Sequence, residues 1–393
     1  MKKRVCMLVF NEVTSDPRVT KEAETLSDKY EVTVIGTRFS PSTASTEQVN
    51  GYSVHRVDNI LKRKVNTEKL SILTLLRVGA SKMVGLLKIG WVALKMKSDV
   101  YHAHDFEVLP FAYLASKIHG AYCVYDSHEL WVEQRADFPG WFKKIIKGME
   151  SFFIRRVDQV ITVNQSIARE LMERYSLRTI PCVVHNFTKK IGNSIDMREA
   201  SNISDTVKKK IVVLYHGGYL KDRGLEETIE SVKYFPPHVI LRFRGKGPLE
   251  EKLRSLAEPY IKSGQIEFCP PVPMKQLVKE ASECEIGIMP YKPTCLNNYY
   301  SLPNKLSEYM MAGLAVVASD LPEIDRLNKK IGFGELFNPS KPTSIAEAIK
   351  NLIVDKEYLK RCKNRAKEWA LNEGNWEHES RKIVSLYKEL FGE

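Results

Sequence analysis

Short apolar runs alternate with helix-patterned segments twice along this chain, and a stretch without periodicity separates the two series. Alternation of this kind calls for parallel sheets covered by helices, because a parallel strand can be reached only through a crossover. In the first series strands are expected at Val5–Phe10, Glu31–Ile35, Tyr52–Val57, Ala121–Tyr125, Gln159–Val163 and Pro181–Val184. Helical patterns fall at Pro17–Leu26, Leu109–Ile118, Trp141–Val157 and Gln165–Tyr175. The second series has strands at Lys210–His216, His238–Arg244, Gln265–Phe268, Glu285–Met289 and Ala315–Ala318. Its helices are expected at Gly224–Tyr234, Pro248–Ile261 and Met274–Ala281, then at 342–354, 356–371 and 375–391. The expected fold is therefore α/β, with two doubly wound Rossmann-like domains facing a central cleft. The first domain is placed at 1–187, a linker at 188–209 and the second domain at 210–374, with a C-terminal helix at 375–393 packing back toward the first domain. A length of 393 residues suits two domains, since single cores stop growing before that size. No internal repeat points to a solenoid.

Composition excludes several classes. Apolar residues at 43% and charged residues at 27% describe an ordinary globular chain. The seven cysteines (Cys6, Cys123, Cys182, Cys269, Cys284, Cys295, Cys362) are scattered, without a Cys-x-x-Cys pair, which argues against a disulfide framework or a zinc site. The opening Met1-Lys2-Lys3-Arg4 followed by Val5–Phe10 reads as a first buried strand, because the apolar run is short and no small-residue cleavage site follows. No apolar stretch approaches the ~20 residues that span a bilayer. The net charge of +12 favours anionic partners: nucleic acid, anionic lipid or phosphorylated substrates. Residues 60–97 hold nine bases against the single acid Glu68, among apolar residues such as Leu86, Leu87 and Trp91. Such a segment suits either an interfacial membrane helix or a core helix with a solvated basic side. Gly79, Gly85 and Gly90 weaken the helix or mark close packing. Aromatics are not interleaved with the bases as single-strand binders need, so no nucleic-acid partner is expected.

The ends of the expected strands carry the chemistry, since doubly wound sheets bind ligands there. In the second domain a polar loop ends in Ser301-Leu302-Pro303-Asn304-Lys305, a helix begins near Pro303 and Gly313 stops it. The free N–H groups and positive dipole of such a helix start suit a phosphate, and Lys305 in the first turn wants an anion before it. A plain surface helix that starts with Pro-Asn-Lys is the alternative. The first strand of that domain ends in Tyr215-His216-Gly217-Gly218-Tyr219-Leu220-Lys221-Asp222-Arg223-Gly224, and the next in Arg244-Gly245-Lys246-Gly247-Pro248. Paired glycines let the backbone approach a ligand, and Arg can clamp a phosphate with two parallel hydrogen bonds. Three strand ends, each with glycine or a helix start and a base nearby, describe a diphosphate pocket. No G-x-G-x-x-G dinucleotide fingerprint is present.

Taken together, Tyr-His-Gly-Gly-x-x-x-x-Arg-Gly-Leu-Glu, Gly-x-Gly-Pro and Leu-Pro-Asn-Lys-x-x-Glu-Tyr-x-x-x-Gly resemble the donor-binding half of the retaining glycosyltransferases of family four, which have the GT-B fold. In the first half, Asn11–Val19, His102-Ala103-His104-Asp105 and Tyr125-Asp126-Ser127-His128-Glu129-Leu130 resemble the amino-terminal domain of the same family. The resemblance implies transfer of a sugar from a nucleotide diphosphate sugar to a glycan or lipid-linked acceptor, with retention and no obligatory metal or other cofactor. Arg223 would be the diphosphate cation. Tyr219 stands where the family often has Arg, and Lys221 is the nearby replacement; Gly217, Gly218 and Lys246 line the same turns. Backbone N–H groups of Asn304 and Lys305 would hold the outer phosphate and Glu308 the ribose, while the Pro271-Val272 stretch would meet the base. His128 would approach the donor sugar at the reacting centre. Asn11, Asp16, Arg18, His104 and Glu129 fall on the acceptor side, although Asp16 and Arg18 also read as a helix cap and start, and His102 as a packed strand end. The family's Glu-x7-Glu motif is incomplete, because Tyr300 occupies the first position; Tyr300, Asn297 or Asn298 would then meet the sugar. No carboxylate pair has hydrolase-like placement. A cytoplasmic enzyme peripheral to the inner membrane face is the expectation. A nucleotide-sugar 2-epimerase or a phosphorylase on the same fold and a non-catalytic nucleotide-sugar or membrane-surface binding protein are its rivals.

Overall fold

The computed structural model describes residues 2–59, 72–134, 139–190 and 210–393, with side chains from 79 onward in the second stretch. Most of the expected linker, 191–209, and the basic residues 60–71 lie outside the described residues. The chain divides into two compact units, Met1–His185 with Ser380–Glu393, and Asn186–Glu379.

The first unit is built on an eight-stranded sheet. Its elements run β1 (Arg4–Leu8), α1 (Pro17–Ser27), β2 (Glu31–Arg38), β3 (Thr46–Val49), β4 (Tyr52–Asp58), α2 (Ile72–Lys95), β5 (Val100–His104), α3 (Leu109–His119), β6 (Tyr122–Ser127), α4 (Gly140–Ile154), β7 (Gln159–Thr162), α5 (Gln165–Tyr175) and β8 (Cys182–Val183). The strand order is β3-β4-β2-β1-β5-β6-β7-β8, so the order reverses between β1 and β5, the switch point where such sheets bind ligands. Only β3 is antiparallel, and it pairs with β4 through a turn at Asn50 and Gly51, whose φ values are 42° and 92°. Asn-Gly is the dipeptide that a two-residue hairpin with left-handed backbone needs, so this extra strand had a local signal. Right-handed crossovers place α1, which leads β1 to β2, on one face, and the helices leading through β5, β6, β7 and β8 on the other. Gly85 and Gly90 of α2 mark close packing: a Cβ there would fall 2.9 Å from Phe10 and 2.4 Å from Phe111, whereas Gly79 meets nothing.

The second unit runs β9 (Ile211–His216), α6 (Leu225–Ser231), β10 (Val239–Arg244), α7 (Glu250–Lys262), β11 (Ile266–Cys269), α8 (Leu277–Ala281), β12 (Ile286–Met289), α9 (Leu296–Tyr299), α10 (Asn304–Met311), β13 (Ala315–Ser319), α11 (Pro322–Ile331), β14 (Gly334–Phe337), α12 (Pro342–Val354) and α13 (Lys356–Asn372). Its six strands, ordered β11-β10-β9-β12-β13-β14, are all parallel, with the switch point between β9 and β12. Both faces are covered. Ala315 and Val317 of β13 join a cluster with Tyr215, Phe243 and Ile349, while Val316 and Ala318 join another with Leu306, Tyr309 and Phe333. Burial on both faces is why this strand reads as a continuous apolar run rather than an alternation. The chain ends in α14 (Trp376–Phe391), and Tyr387 on its last turns packs against Tyr30 in the first unit.

Candidate active site

In the second unit, two glycine turns lie against each other at the ends of β9 and β10. Gly217 has φ +121° and donates its N–H to Arg244 O at 2.9 Å, and a Cβ on Gly245 would fall 2.0 Å from Gly217 O. No side chain fits there. The bare Gly217 also makes room for Lys305, whose Nζ would lie 2.9 Å from a Cβ at that position. Lys305 comes from the first turn of α10, whose N-cap is Pro303, one residue before the helix rather than its first member. Among the described residues no side chain caps this helix, so the N–H groups of Asn304 and Lys305 stay open to a ligand, while that of Leu306 turns back to Pro303 O at 3.0 Å. Gly313, with φ +78°, follows its end in the left-handed conformation that stops a helix.

Lys305 Nζ donates to Tyr291 Oη at 3.0 Å and lies 5.2 Å from the Tyr215 ring centre; the Arg223 guanidinium stacks 4.2 Å above the Tyr291 ring. Two cations are thus held by aromatic groups, with no carboxylate partner for either among the described residues. Burial pushes the Tyr291 phenol up, but Lys305 and Arg223 outweigh it and the net shift is downward. Burial likewise opposes the Lys305 charge, and Tyr291 and Tyr215 reverse that so its pKa rises. The uncompensated positive charge is what a diphosphate would neutralise.

Glu308, one turn beyond Lys305, bonds through Oε2 to His216 Nε2 at 2.6 Å. The His216 ring lies 4.6 Å from that of Tyr309, and its backbone N–H donates to Tyr309 Oη at 3.0 Å. His216 thus orients Glu308. The sequence shows His216 in a motif without revealing a role for it, because the partner is 92 residues away. Tyr219 is buried among Phe243, Phe268 and Tyr215, so no side chain from that position reaches a ligand. Lys221 and Lys246 are exposed, Val272 is half-buried in the loop after β11, and Tyr300 follows α9 with its ring 5.3 Å from Tyr299. Asn304 is exposed at the start of α10, Gly218 lies in the turn after β9, and Asn298 donates to Thr294 Oγ1 at 3.0 Å.

In the first unit a buried charged cluster gathers at the ends of β5 and β6. Arg18 donates from Nε and the terminal nitrogen Nη2 to the two oxygens of Asp126, both at 2.7 Å, and from the other, Nη1, to Val184 O at 2.7 Å. Glu22 lies 3.2 Å from Arg18 Nε. His128 Nε2 is 2.9 Å from Asp126 and 3.1 Å from His104 Nδ1, and its Nδ1 is 3.5 Å from Asp105. His102 stacks on His104 with centroids 4.4 Å apart and bonds through Nδ1 to Tyr387 Oη at 2.8 Å. Arg18 and His104 are internal and hold Asp126 and His128 in place, whereas the His128 side chain is 15% exposed. Asp16 caps α1, accepting from the N–H groups of Arg18 and Val19 at 3.0 and 3.3 Å, and Asn11 Nδ2 donates to its other oxygen at 2.9 Å. Glu129 is half-buried and accepts from Gln134.

Burial works against a charge on His128, but Asp105 and Asp126 outweigh it and push its pKa up to about 10. Asp126 is itself desolvated, yet Arg18 and His128 hold it well below the usual carboxylate range. Burial, reinforced by Asp126, pushes Glu22 up to about 8, and burial pushes Asp105 to about 7. Glu22, His102, His104 and Asp126 have the donor types of a metal site, with ligand atoms within 4.8 Å of one another. Arg18, however, already occupies both oxygens of Asp126 and supplies the cation there.

The upward shifts of His128 and Glu22 act on stability with one sign. His128 is raised above its ordinary 6.5, so its stabilisation is complete below that pH and is lost as pH climbs through about 10. Glu22 stays protonated in the folded state between 4.5 and about 8 while the unfolded chain ionises, which also withdraws stability as pH rises. The thermal unfolding midpoint is therefore expected to fall from neutral pH to about 10, with the fall above neutrality smaller in His128→Gln; an unchanged profile in the variant would deny the imidazolium.

Residues 196–369 match the family profile described as "Glycosyl transferases group 1", and residues 18–188 match "Glycosyltransferase Family 4". Each half of the chain thus matches a glycosyltransferase profile. Among solved structures, a sucrose-phosphate synthase from Thermosynechococcus elongatus superposes with TM-score 0.76 at 14% identity, covering 100% of both chains. Anabaena HepE, solved with UDP and glucose, gives TM-score 0.71 at 15% identity over 98% of this chain and 100% of that one. At these identities the likeness concerns the fold, and the fold is GT-B. A glycosyltransferase of Methanocaldococcus jannaschii described as uncharacterized is 25% identical over 251 residues, 62% of this chain; the match spans 61% of that curated relative's length. The two matched domains, one on each unit, support the glycosyltransferase class.

Proposed function

We propose that this protein transfers a sugar from a nucleoside diphosphate sugar to a hydroxyl of a glycan or lipid-linked acceptor, with retention of anomeric configuration. The observation that carries the reading is the pair Arg223 and Lys305. Both cations are held on Tyr291 without an acid partner among the described residues, beside the bare Gly217 turn and the uncapped start of α10. Cleaving the bond from anomeric carbon to diphosphate builds negative charge on the leaving phosphate. Preorganised cations and helix N–H groups bind that charge more strongly as it grows, which lowers the barrier. Uridine diphosphate is the favoured nucleotide class, because HepE was solved with UDP and glucose.

In this reading Lys305 contributes its ammonium as well as its backbone, adding to Lys221 the cation that buried Tyr219 does not supply. Glu308, oriented by His216, accepts from the ribose hydroxyls. His128 offers Nδ1–H to the sugar, since its 3.5 Å separation from Asp105 is too long for a good hydrogen bond. Arg18, Asp126 and His104 position that imidazolium. The Tyr300 hydroxyl, with Asn297 and Asn298 nearby in sequence, stands in for the missing first acid.

A thermal-shift screen against nucleotide sugars, followed by mass analysis with acceptor extracts, tests this reading. Stabilisation by one donor together with a new glycoside supports transfer. An isomerised donor without acceptor would favour epimerisation, and binding without any product would favour a non-catalytic binder. Glu308→Ala is expected to weaken binding of the nucleoside diphosphate by about 10-fold, the loss of one charge-assisted hydrogen bond. An unchanged dissociation constant by calorimetry would refute the ribose assignment.

A further inference from the structure

Helix α4 turns a stripe of apolar side chains outward. Its buried positions are Glu150 and Ile154, while Trp141, Ile145, Met149 and Phe152 are between 42 and 67% exposed. Their spacing of four, four and three residues puts them on one side of the helix. The helix is anchored by its polar residue: Glu150 accepts from Tyr125 Oη at 2.7 Å and Tyr175 Oη at 2.6 Å. Those four apolar side chains therefore do not serve the core of the unit, which takes Ile154 instead.

Neighbouring helices extend the face. On α2 the core takes Leu86, Ile89 and Ala93, leaving Met83, Val84, Leu87 and Trp91 exposed. On α3, Leu114 and Ile118 are exposed. α2 packs on α3 through Gly90 and Phe111, α3 packs on α4 through Tyr113 and Phe153, and right-handed crossovers put all three on one side of the sheet. Exposed apolar side chains gathered on three helices packed side by side mark an interaction site.

Charge identifies the partner. Across the three helices the sequence has eight bases, Arg77, Lys82, Lys88, Lys95, Lys117, Lys143, Lys144 and Lys147, and one acid, the buried Glu150. Among the described residues two acids from neighbouring loops reach this set, Glu107 at Lys82 and Glu133 at Lys143 and Lys147, so the bases remain in excess. Lys95 lies 4.7 Å from the Trp91 ring centre, Lys117 5.2 Å from that of Tyr113 and Arg156 3.8 Å from that of Phe152. Cations rimming the exposed Trp91 and Phe152 and the half-buried Tyr113 match the anionic headgroups and apolar boundary of a bilayer. A second copy of this chain would bring the same basic surface against itself. Nucleic acid would have no use for the Trp141, Ile145 and Met149 stripe.

We propose that the α2–α3–α4 face docks on an anionic lipid bilayer, with the Trp141–Phe152 stripe entering the headgroup layer. No helix among the described residues is long and apolar enough to cross a membrane, so attachment is to the surface. The proposal stands apart from the sugar-transfer reading, because lipid binding needs no donor.

Flotation of the full chain with phosphatidylcholine vesicles, with and without phosphatidylglycerol, tests it. Binding is expected only with phosphatidylglycerol and should weaken with salt. Trp141→Ser with Ile145→Ser should lower partition about 10-fold or more, and Lys144→Glu with Arg156→Glu should do the same. All four positions are exposed, and unchanged circular dichroism melting would confirm that the variants fold. Failure of the wild type to bind, or variants that bind as the wild type does, would overturn the proposal. So would a dimer that the same substitutions dissolve in a protein that ignores vesicles, since the face would then join two copies.

Discussion

Arg223→Ala is expected to cut turnover by about 100-fold, the scale of losing one preorganised donor to developing charge. Its guanidinium lies 4.2 Å over the Tyr291 ring without an acid to compensate it among the described residues, so its field is directed at a ligand rather than spent on a partner. Lys305→Ala should cost a similar factor, because its ammonium lies on the same phenol and against Gly217. The pair shares one ligand and one aromatic support, so the double variant should lose less than the product of the two factors. Arg223→Lys should recover activity only in part, because a lysine lacks the planar fork that both stacks and clamps. Turnover with the donor found by the thermal screen is the measurement. Near-normal rates in both single variants would remove the cation pair from the mechanism.

The second large effect concerns stability. Arg18→Ala strips Asp126 of both its short hydrogen bonds to the guanidinium and leaves Val184 O without its donor, all in the interior. Breaking a buried ion pair from one side typically costs about 3–5 kcal/mol, because the remaining charge stays desolvated. Chemical denaturation should show that loss in the first unit, and Arg18→Ala with Asp126→Ala should cost less than the sum of the single changes. A cost near zero for Arg18→Ala would mean that Asp126 is neutral and that the imidazolium of His128 has lost one of its two carboxylate supports.

Much of the fold was legible because its signals are local. Continuous apolar runs were readable as strands wherever both faces are buried, as the Ala315–Ser319 strand is, and Gly313 marked the end of α10 by its left-handed backbone. Of the missed strands, Gly334–Phe337 and Thr46–Val49, the latter had its Asn50-Gly51 turn in plain view. Exposure was less legible. The period of α4 reads as an amphipathic helix, and a period cannot say which side faces the core. Burying Glu150 between Tyr125 and Tyr175 depends on partners 25 residues away in either direction.

The sequence by itself determined the two parallel-sheet units, the glycine turns after β9 and β10 and the helix start at Lys305, since backbone conformation and periodicity are written in neighbouring residues. Only the tertiary structure decided the chemistry of the opening Pro303-Asn304-Lys305 turn. It brought the Lys305 ammonium to Gly217, set Arg223 over Tyr291, tied Glu308 to His216 and joined Arg18 to a carboxylate 108 residues away. Charge and burial act through space, so a side chain's partners and electrostatic state depend on where distant strands end.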